Sequence, residues 1–399
     1  MTTLAGTQTQ LPSEINPWKT FPAEPEAWYS GEEMAKADEY GGPLRKVLLG
    51  GAAIGLVVDL AVIVFGLAPK AIDALGVTNW VVGLLVSMAI IQAASFASGI
   101  PLGAWRELRY DKKWGFSKQT TKGFLVDLAK GLPVSIVLLT LLFVPVFAVI
   151  RATDLWWLFG GLVFATFSIA IGVLFPIVIA PLFNKYTPLE DGPLRTALLE
   201  TAKLADADIN EILVEDSSKR DTRPNAYVAG IGKVRRVVLF DNILRYPQDA
   251  IVAVAAHEIG HWKLRHIPRI IPFAFVLTLV SFVALAVLME NDTIQDLAGV
   301  TSAGDPGALP VFLLLFGAIG KVTSLASAWF SRARERQADL FAYELLGAPE
   351  EMKGFFHDIS VENLLDLRPS AWRRLKASHP PFAERMAMAD AWTRANPRP

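Results

Sequence analysis

The chain has 399 residues, 52% of them hydrophobic and 19% charged, with a mean hydropathy of +0.37 and a formal net charge of −1. Soluble domains carry about 25% charged residues, so this balance indicates a membrane protein, and the near-zero charge gives no bulk field for nucleic acid. There are no cysteines, which excludes disulfides, iron–sulfur clusters and every thiolate zinc site; a transition metal would have to be held by His, Asp or Glu.

Residues 1–46 read as a polar, acidic tail. It has no basic stretch leading into an apolar core, so no cleavable signal peptide is expected. Four apolar runs follow within 47–183, at roughly 47–69, 79–104, 132–150 and 156–183. Each is long enough to cross a bilayer as helix, which takes about 20 residues. Two more, at 269–289 and 309–330, form a hairpin over 269–330. Between the two sets lies a polar region, 184–268, and after the hairpin another, 331–399. Within 184–268 the pattern predicts a helix over 193–204 and three short strands, at 211–216, 225–230 and 235–240, the last two joined by a hairpin through Gly232. A further helix is predicted from near Asp249 to about Arg265, ahead of Pro268. The fold class is therefore mostly α: a polytopic α-helical membrane protein with six predicted transmembrane spans and a polar α/β region, 184–268 with 331–399, split by a transmembrane hairpin.

Lys and Arg concentrate in the N-terminal tail, in 105–131, in 184–268 and in 331–399, while the connection 290–308 has none. With six spans these basic regions share one side, and the positive-inside rule places both termini and both polar regions in the cytoplasm, with the plasma membrane as the expected location. Asp59 and Lys321 fall near the middle of their spans. Charges at that depth are costly, so the two are expected to approach each other or to line one polar chamber.

The chemistry centres on His257-Glu258-Ile259-Gly260-His261. Two histidines four apart on a helix share one face and can share one ion. Glu258 is the carboxylate of this pattern that acts as general base for a metal-activated water. Ala255, Ala256 and Gly260 are expected to leave room for a substrate backbone. A third ligand is needed. On a continuing helix His266 faces roughly away from His257 at about 100° per residue, and it is set aside. A metzincin would need Gly at 264 and His at 267, where Leu264 and Ile267 stand. A distant carboxylate remains. In Ser331-Arg-Ala-Arg-Glu335-Arg-Gln-Ala-Asp339, Glu335 and Asp339 lie one turn apart. One could bind the metal while the other orients a ligand histidine; the stretch also reads as a juxtamembrane helix held by i,i+4 ion pairs.

Several runs together carry a resemblance: Gly115-Phe-Ser-Lys-Gln-Thr120, Ser218-Lys-Arg, Asn225-Ala-Tyr227, Val237-Val-Leu-Phe-Asp241, the two runs above, and Ser378-His-Pro-Pro381 with Glu384-Arg385. Over about residues 99–390 the chain resembles the integral-membrane zinc proteases of the CAAX prenyl protease type I family, which are gluzincins. The resemblance implies one Zn2+ per chain on His257, His261 and Glu335, with Glu258 as base and Asp339 supporting a ligand. It implies that Asn225, Ala226 and Tyr227 form an edge strand that binds substrate, and that His379 and Arg385 stabilise the transition state. His357 matches no family position. Eukaryotic members carry one more leading helix, which is expected to be absent here. The implied substrates are membrane-associated proteins or peptides, either CAAX-type C-termini or proteins undergoing membrane turnover. No nucleic-acid partner is expected, and nothing in the chain indicates an oligomeric state. The competing reading, an inactive scaffold or transporter with a vestigial metal site, has no use for Glu258.

Overall fold

The computed structural model describes residues 14–397 except 210, 232 and 233. Six of its helices are long and apolar enough to cross a membrane. The first, α1 (Gly31–Val64), begins well before its apolar run. Ser30 accepts from the Glu33 N–H while the Glu33 side chain returns to the Ser30 N–H. This reciprocal cap contributes about 1 kcal/mol and starts the helix inside what composition alone marks as tail. Gly66, in the left-handed conformation, then turns the chain into a short helix, Leu67–Ala74. The next three spans are α2 (Trp80–Trp105), continued by a π turn at Arg106–Tyr110, α3 (Thr121–Ala152) and α4 (Trp156–Leu174).

The bundle packs tightly at one end. Ile63, Leu84, Phe147, Phe282, Met289, Leu309 and Phe312 form a buried cluster there. Gly160 and Gly161 admit Phe282 and Leu279, whose atoms lie 3.2 and 3.0 Å from where a Cβ would be. The buried residues of α2 and α4 are confined to their halves at that end. Toward the peptidase region the bundle is looser. Asp59 and Lys321 are both exposed, and no ion pair joins them among the described residues. The expected pairing is therefore not seen.

The peptidase region contains α5 (Pro193–Leu204) and one four-stranded sheet. Its strands are β1 (Tyr186–Pro188), β2 (Glu211–Glu215), β3 (Ala226–Ile231) and β4 (Val234–Phe240), in the order β1-β2-β4-β3. The predicted strands are present, and β1 is an addition. β3 pairs antiparallel with β4, from Ala226 opposite Leu239 to Ile231 opposite Val234; Gly232 of the expected hairpin lies outside the described residues. β3 is thus an edge strand. Next come α6 (Gln248–Lys263), which packs beside β3, and α7 (His266–Met289), the fifth span.

The last span, α8 (Leu309–Leu346), does not stop at the membrane. It runs for 38 residues as one helix, about 57 Å at 1.5 Å per residue against an apolar bilayer core of about 30 Å. The boundary drawn at 330/331 from hydropathy is therefore no break in the chain. The far end of α8 packs with α6, α9 (Pro349–Glu362) and α10 (Phe382–Ala395). That core also takes in Ile15, Tyr29, Met34 and Ala37. Residues 14–30 are accordingly a docked segment: the Pro17 carbonyl accepts from Arg336, and the Phe21 N–H donates to Glu384.

Candidate metal centre and active site

α6 carries His257 and His261 one turn apart, with their Nε2 atoms 3.1 Å from each other. α8 brings Glu335 to both, at 3.4 Å from His257 Nε2 and 3.4 Å from His261 Nε2. The helices approach this closely because Gly260 lies against α8: a Cβ there would sit 2.9 Å from the Phe341 ring and 3.4 Å from the Ala338 Cα. Ala255 and Ala256 are buried in the same core. The small residues near the motif therefore serve helix packing here, in place of the substrate access expected of them.

The ligand set suits a cation. His257 Nδ1 faces Asp339 Oδ1 at 2.8 Å, which commits that nitrogen as a donor and leaves a lone pair on Nε2. His261 Nδ1 is also engaged, at 3.0 Å from His266 Nδ1. Glu335 Oε2 is buried with no hydrogen-bond partner. Lone pairs and a carboxylate converging at 3.1–3.4 Å repel unless a positive charge lies among them. Burial opposes a charge on His257, but the hydrogen bond and charge of Asp339, then Glu335, outweigh it and raise its pKa to about 10; a proton on Nε2 can thus supply the positive charge here, and a metal ion binding at that nitrogen would displace it and leave the ring neutral. Burial, then the neighbouring His257, push that of His261 down to about 3, so it presents a neutral ring. Two neutral imidazole nitrogens and one carboxylate are the donors zinc takes in gluzincin sites.

Glu258 is half-buried on the side of α6 facing β3. Its carboxylate accepts from the Val228 backbone N–H, and burial, against the opposing influence of His257, pushes its pKa up to about 7. The Phe240 N–H donates to the Asn225 carbonyl. In an antiparallel ladder the residues then alternate, so Ala226 and Val228 turn their backbone groups away from β4. Asn225 is exposed, and its Oδ1 accepts from the Ala226 N–H. The Tyr227 side chain points to the other face of β3, where its hydroxyl lies 3.4 Å from Glu215 and 3.5 Å from the Tyr186 hydroxyl. Of the three residues expected to meet substrate, Tyr227 thus keeps its ring out of the cleft. Val228 is an addition that strict two-residue alternation along the strand would have found.

Asp339 is 0% exposed and takes both Nε and Nη2 of Arg385, at 2.8 and 2.5 Å. The Arg385 guanidinium also stacks 4.0 Å from the centre of the Phe356 ring. It is engaged on the Asp339 side of His257, remote from the open face of the site. His379 is exposed, with Nε2 3.5 Å from Glu335 Oε2 and Nδ1 2.9 Å from Ser378 Oγ. Arg332 holds its segment by donating to the carbonyls of Leu375 and Ala377. His357 lies elsewhere, stacked on Tyr29.

His266 does not face away from the pair as a continuing helix would require. α6 ends at Lys263, and Arg265 adopts the left-handed conformation at φ 53°. The helix does not continue, and His266 at the head of α7 swings back to His261. It stays on the Nδ1 side, outside the ligand triangle. The arginines of the 331–339 run do not make i,i+4 pairs either: Arg334 donates to Gln337 Oε1 and Arg336 to the buried Glu384.

Comparison with known proteins identifies the family. Residues 188–393 match the sequence model of peptidase family M48, and residues 15–185 match one described as the CAAX prenyl protease N-terminal region with five membrane helices. Among the described residues of the latter stretch, four helices qualify as spans. A CAAX prenyl protease 1 homolog of Oryza sativa subsp. japonica is 29% identical over 91% of this chain and 88% of its own length. CAAX prenyl protease 1 of Saccharomyces cerevisiae is 29% identical over 77% and 72%. The crystal structure of S. mikatae Ste24p superposes with a TM-score of 0.82 at 24% identity, covering 94% of this chain and 93% of that one. A peptidase match across more than half the chain, carried on a multi-pass helical bundle, makes this protein a member of the M48 peptidase family and a membrane metalloprotease of the CAAX prenyl protease type.

Proposed function

We propose that the protein is a zinc metalloendopeptidase that hydrolyses peptide bonds of membrane-associated proteins or peptides. The observation that carries this reading is the triangle of His257, His261 and Glu335 with Glu258 one residue from a ligand. Zinc held there supplies Lewis acidity and an acidified water.

The chain's own residues do the rest. Glu258 takes a proton from the attacking water and hands it to the leaving amine, a task suited to a carboxyl whose pKa burial has brought to about 7. An extended peptide adds to β3 along the side bearing the Ala226 backbone groups and the Val228 carbonyl, the Val228 N–H being held by Glu258, with the Asn225 amide beside it. His379, exposed next to Glu335, donates to the oxyanion that develops on the scissile carbonyl. Arg385 works through Asp339: it fixes that carboxylate, which fixes the His257 ring.

The basic residues bordering the spans support an orientation with the peptidase region in the cytoplasm, and we assign the plasma membrane as its location. The names of the rice and yeast relatives support CAAX-type C-termini as one substrate class; turnover of membrane proteins is the other.

Glu258→Gln tests the mechanism. The purified variant should bind zinc like the unaltered protein and lose peptidase activity by roughly 10²–10⁴-fold, the usual worth of a general base. Full activity with zinc bound would overturn the assignment. A scaffold or transporter would be indifferent to the change.

A further inference from the structure

His266 is buried, and both of its ring nitrogens are engaged. Nδ1 lies 3.0 Å from His261 Nδ1, and Nε2 lies 3.2 Å from Gln337 Oε1. Gln337 Oε1 in turn accepts from Arg334 Nη1 at 2.7 Å. Arg334 stacks on the rings of Trp18 and Phe330, 4.6 and 4.4 Å from their centres. The chain of contacts thus runs from the docked N-terminal segment to a metal ligand.

Its direction is fixed at both ends. A guanidinium can only donate, so the atom it meets on Gln337 is the amide oxygen. That oxygen then accepts from His266, which puts the His266 proton on Nε2. Neutral His266 is left with a lone pair on Nδ1, directed at His261 Nδ1. His261 must therefore carry its proton on Nδ1, and its Nε2 lone pair faces His257 and Glu335. Read from the other end, a metal on His261 Nε2 demands the same tautomer.

We propose that His266 is a positioning residue for the metal centre: it accepts from His261 Nδ1 and so sets the tautomer and ring plane of that ligand, with Gln337 and Arg334 holding it in the accepting form. His257 receives the equivalent service from the carboxylate of Asp339. The two ligands are therefore held differently, one by an anion and one by a neutral chain anchored on a cation. The proposal rests on His261 being a ligand.

The test compares the full-length protein in detergent with His266→Phe and His266→Asn. Phe keeps the ring shape without an acceptor, whereas Asn places an oxygen near where Nδ1 stood. The readouts are zinc affinity by competition with a chromophoric chelator and the visible spectrum of the cobalt-substituted protein. His266→Phe should bind zinc roughly 10–100-fold more weakly, the usual effect of losing such a partner, and should shift the cobalt bands. His266→Asn should restore both toward the unaltered protein. Equal affinity and spectrum in His266→Phe, or no recovery in His266→Asn, would overturn the proposal. Should His266→Phe not fold, Gln337→Leu frees His266 one link further out; a cobalt spectrum unchanged in that variant would count equally against it. If the unaltered protein itself binds no zinc, the functional reading fails first; if it binds and His266→Phe binds as well, only this inference fails.

Discussion

Asp339 accepts from His257, a proposed metal ligand, on one side and from the buried Arg385 on the other. Its charge is what both neighbours require. Asp339→Asn keeps an oxygen for His257 Nδ1 and nearly the same volume, but removes that charge. The His257 ring loses its electrostatic support, so zinc affinity should fall roughly 10–100-fold. Arg385 is left as a buried cation without a counterion, a loss of about 3–5 kcal/mol when one partner of a buried pair is removed. Chelator competition measures the first effect and thermal unfolding of the metal-free protein the second. An unchanged zinc affinity would show that Asp339 holds Arg385 alone. Glu258 differs in kind: nothing in the structure needs its charge to hold a ligand, which is why its replacement should separate catalysis from metal binding.

At the level of elements, the distance between α6 and α8 sets the site, and Gly260 sets that distance. Gly260→Ala would place a methyl against the Phe341 ring and the Ala338 backbone. The helices must part or twist, at about 1–3 kcal/mol for an overpacked contact, and Glu335 must withdraw from the histidines. Lower thermal stability together with weaker zinc binding is the expected result; lower stability with zinc affinity intact would mean that the ligands re-form independently of this contact. The same elements show how far the sequence could be read. The pairing of His257 and His261 was legible because helix periodicity and ligand chemistry constrain it tightly; the same reasoning left Glu335 and Asp339 open as the third group, and only the family resemblance singled out Glu335. The continuity of α8 was legible in principle, since no Gly or Pro stands between Gly320 and Gly347, but the hydropathy change at Ser331 invited a boundary. The Ser30–Glu33 cap was another available signal, hidden by the acidic composition around it. The turn at Arg265 was not legible, because nothing local favours an arginine in the left-handed region. Tertiary packing imposes it, and with it the placement of His266.

Across the whole molecule, the proposed ligands come from two helices, α6 and α8, joined through the span α7. The large buried cluster of the bundle lies at its far end; nearer the peptidase region the spans share smaller contacts, Tyr40 and Leu44 of α1 with Trp105 of α2, and Phe273 of α7 stacked on Phe330 of α8. A metal bound by α6 and α8 therefore acts as a cross-link between the two parts of the peptidase region. Binding to the folded state alone adds about 2.7 kcal/mol when free metal is a hundredfold above its Kd. Stripping zinc with a chelator should accordingly lower the unfolding temperature of the peptidase region and leave the bundle, with its separate buried cluster, little changed. Hydrogen exchange at raised temperature distinguishes the two, because α6 and the part of α8 beyond Ser331 should lose protection while Phe147, Phe282 and Phe312 keep theirs. The control is the doubly altered His257→Ala/His261→Ala protein, in which the chelator has nothing to remove. If chelation lowers its unfolding temperature equally, the stabilisation arises at some other site. If chelation leaves the unaltered protein unmoved, α6 and α8 are held by packing alone and the metal contributes nothing to their union.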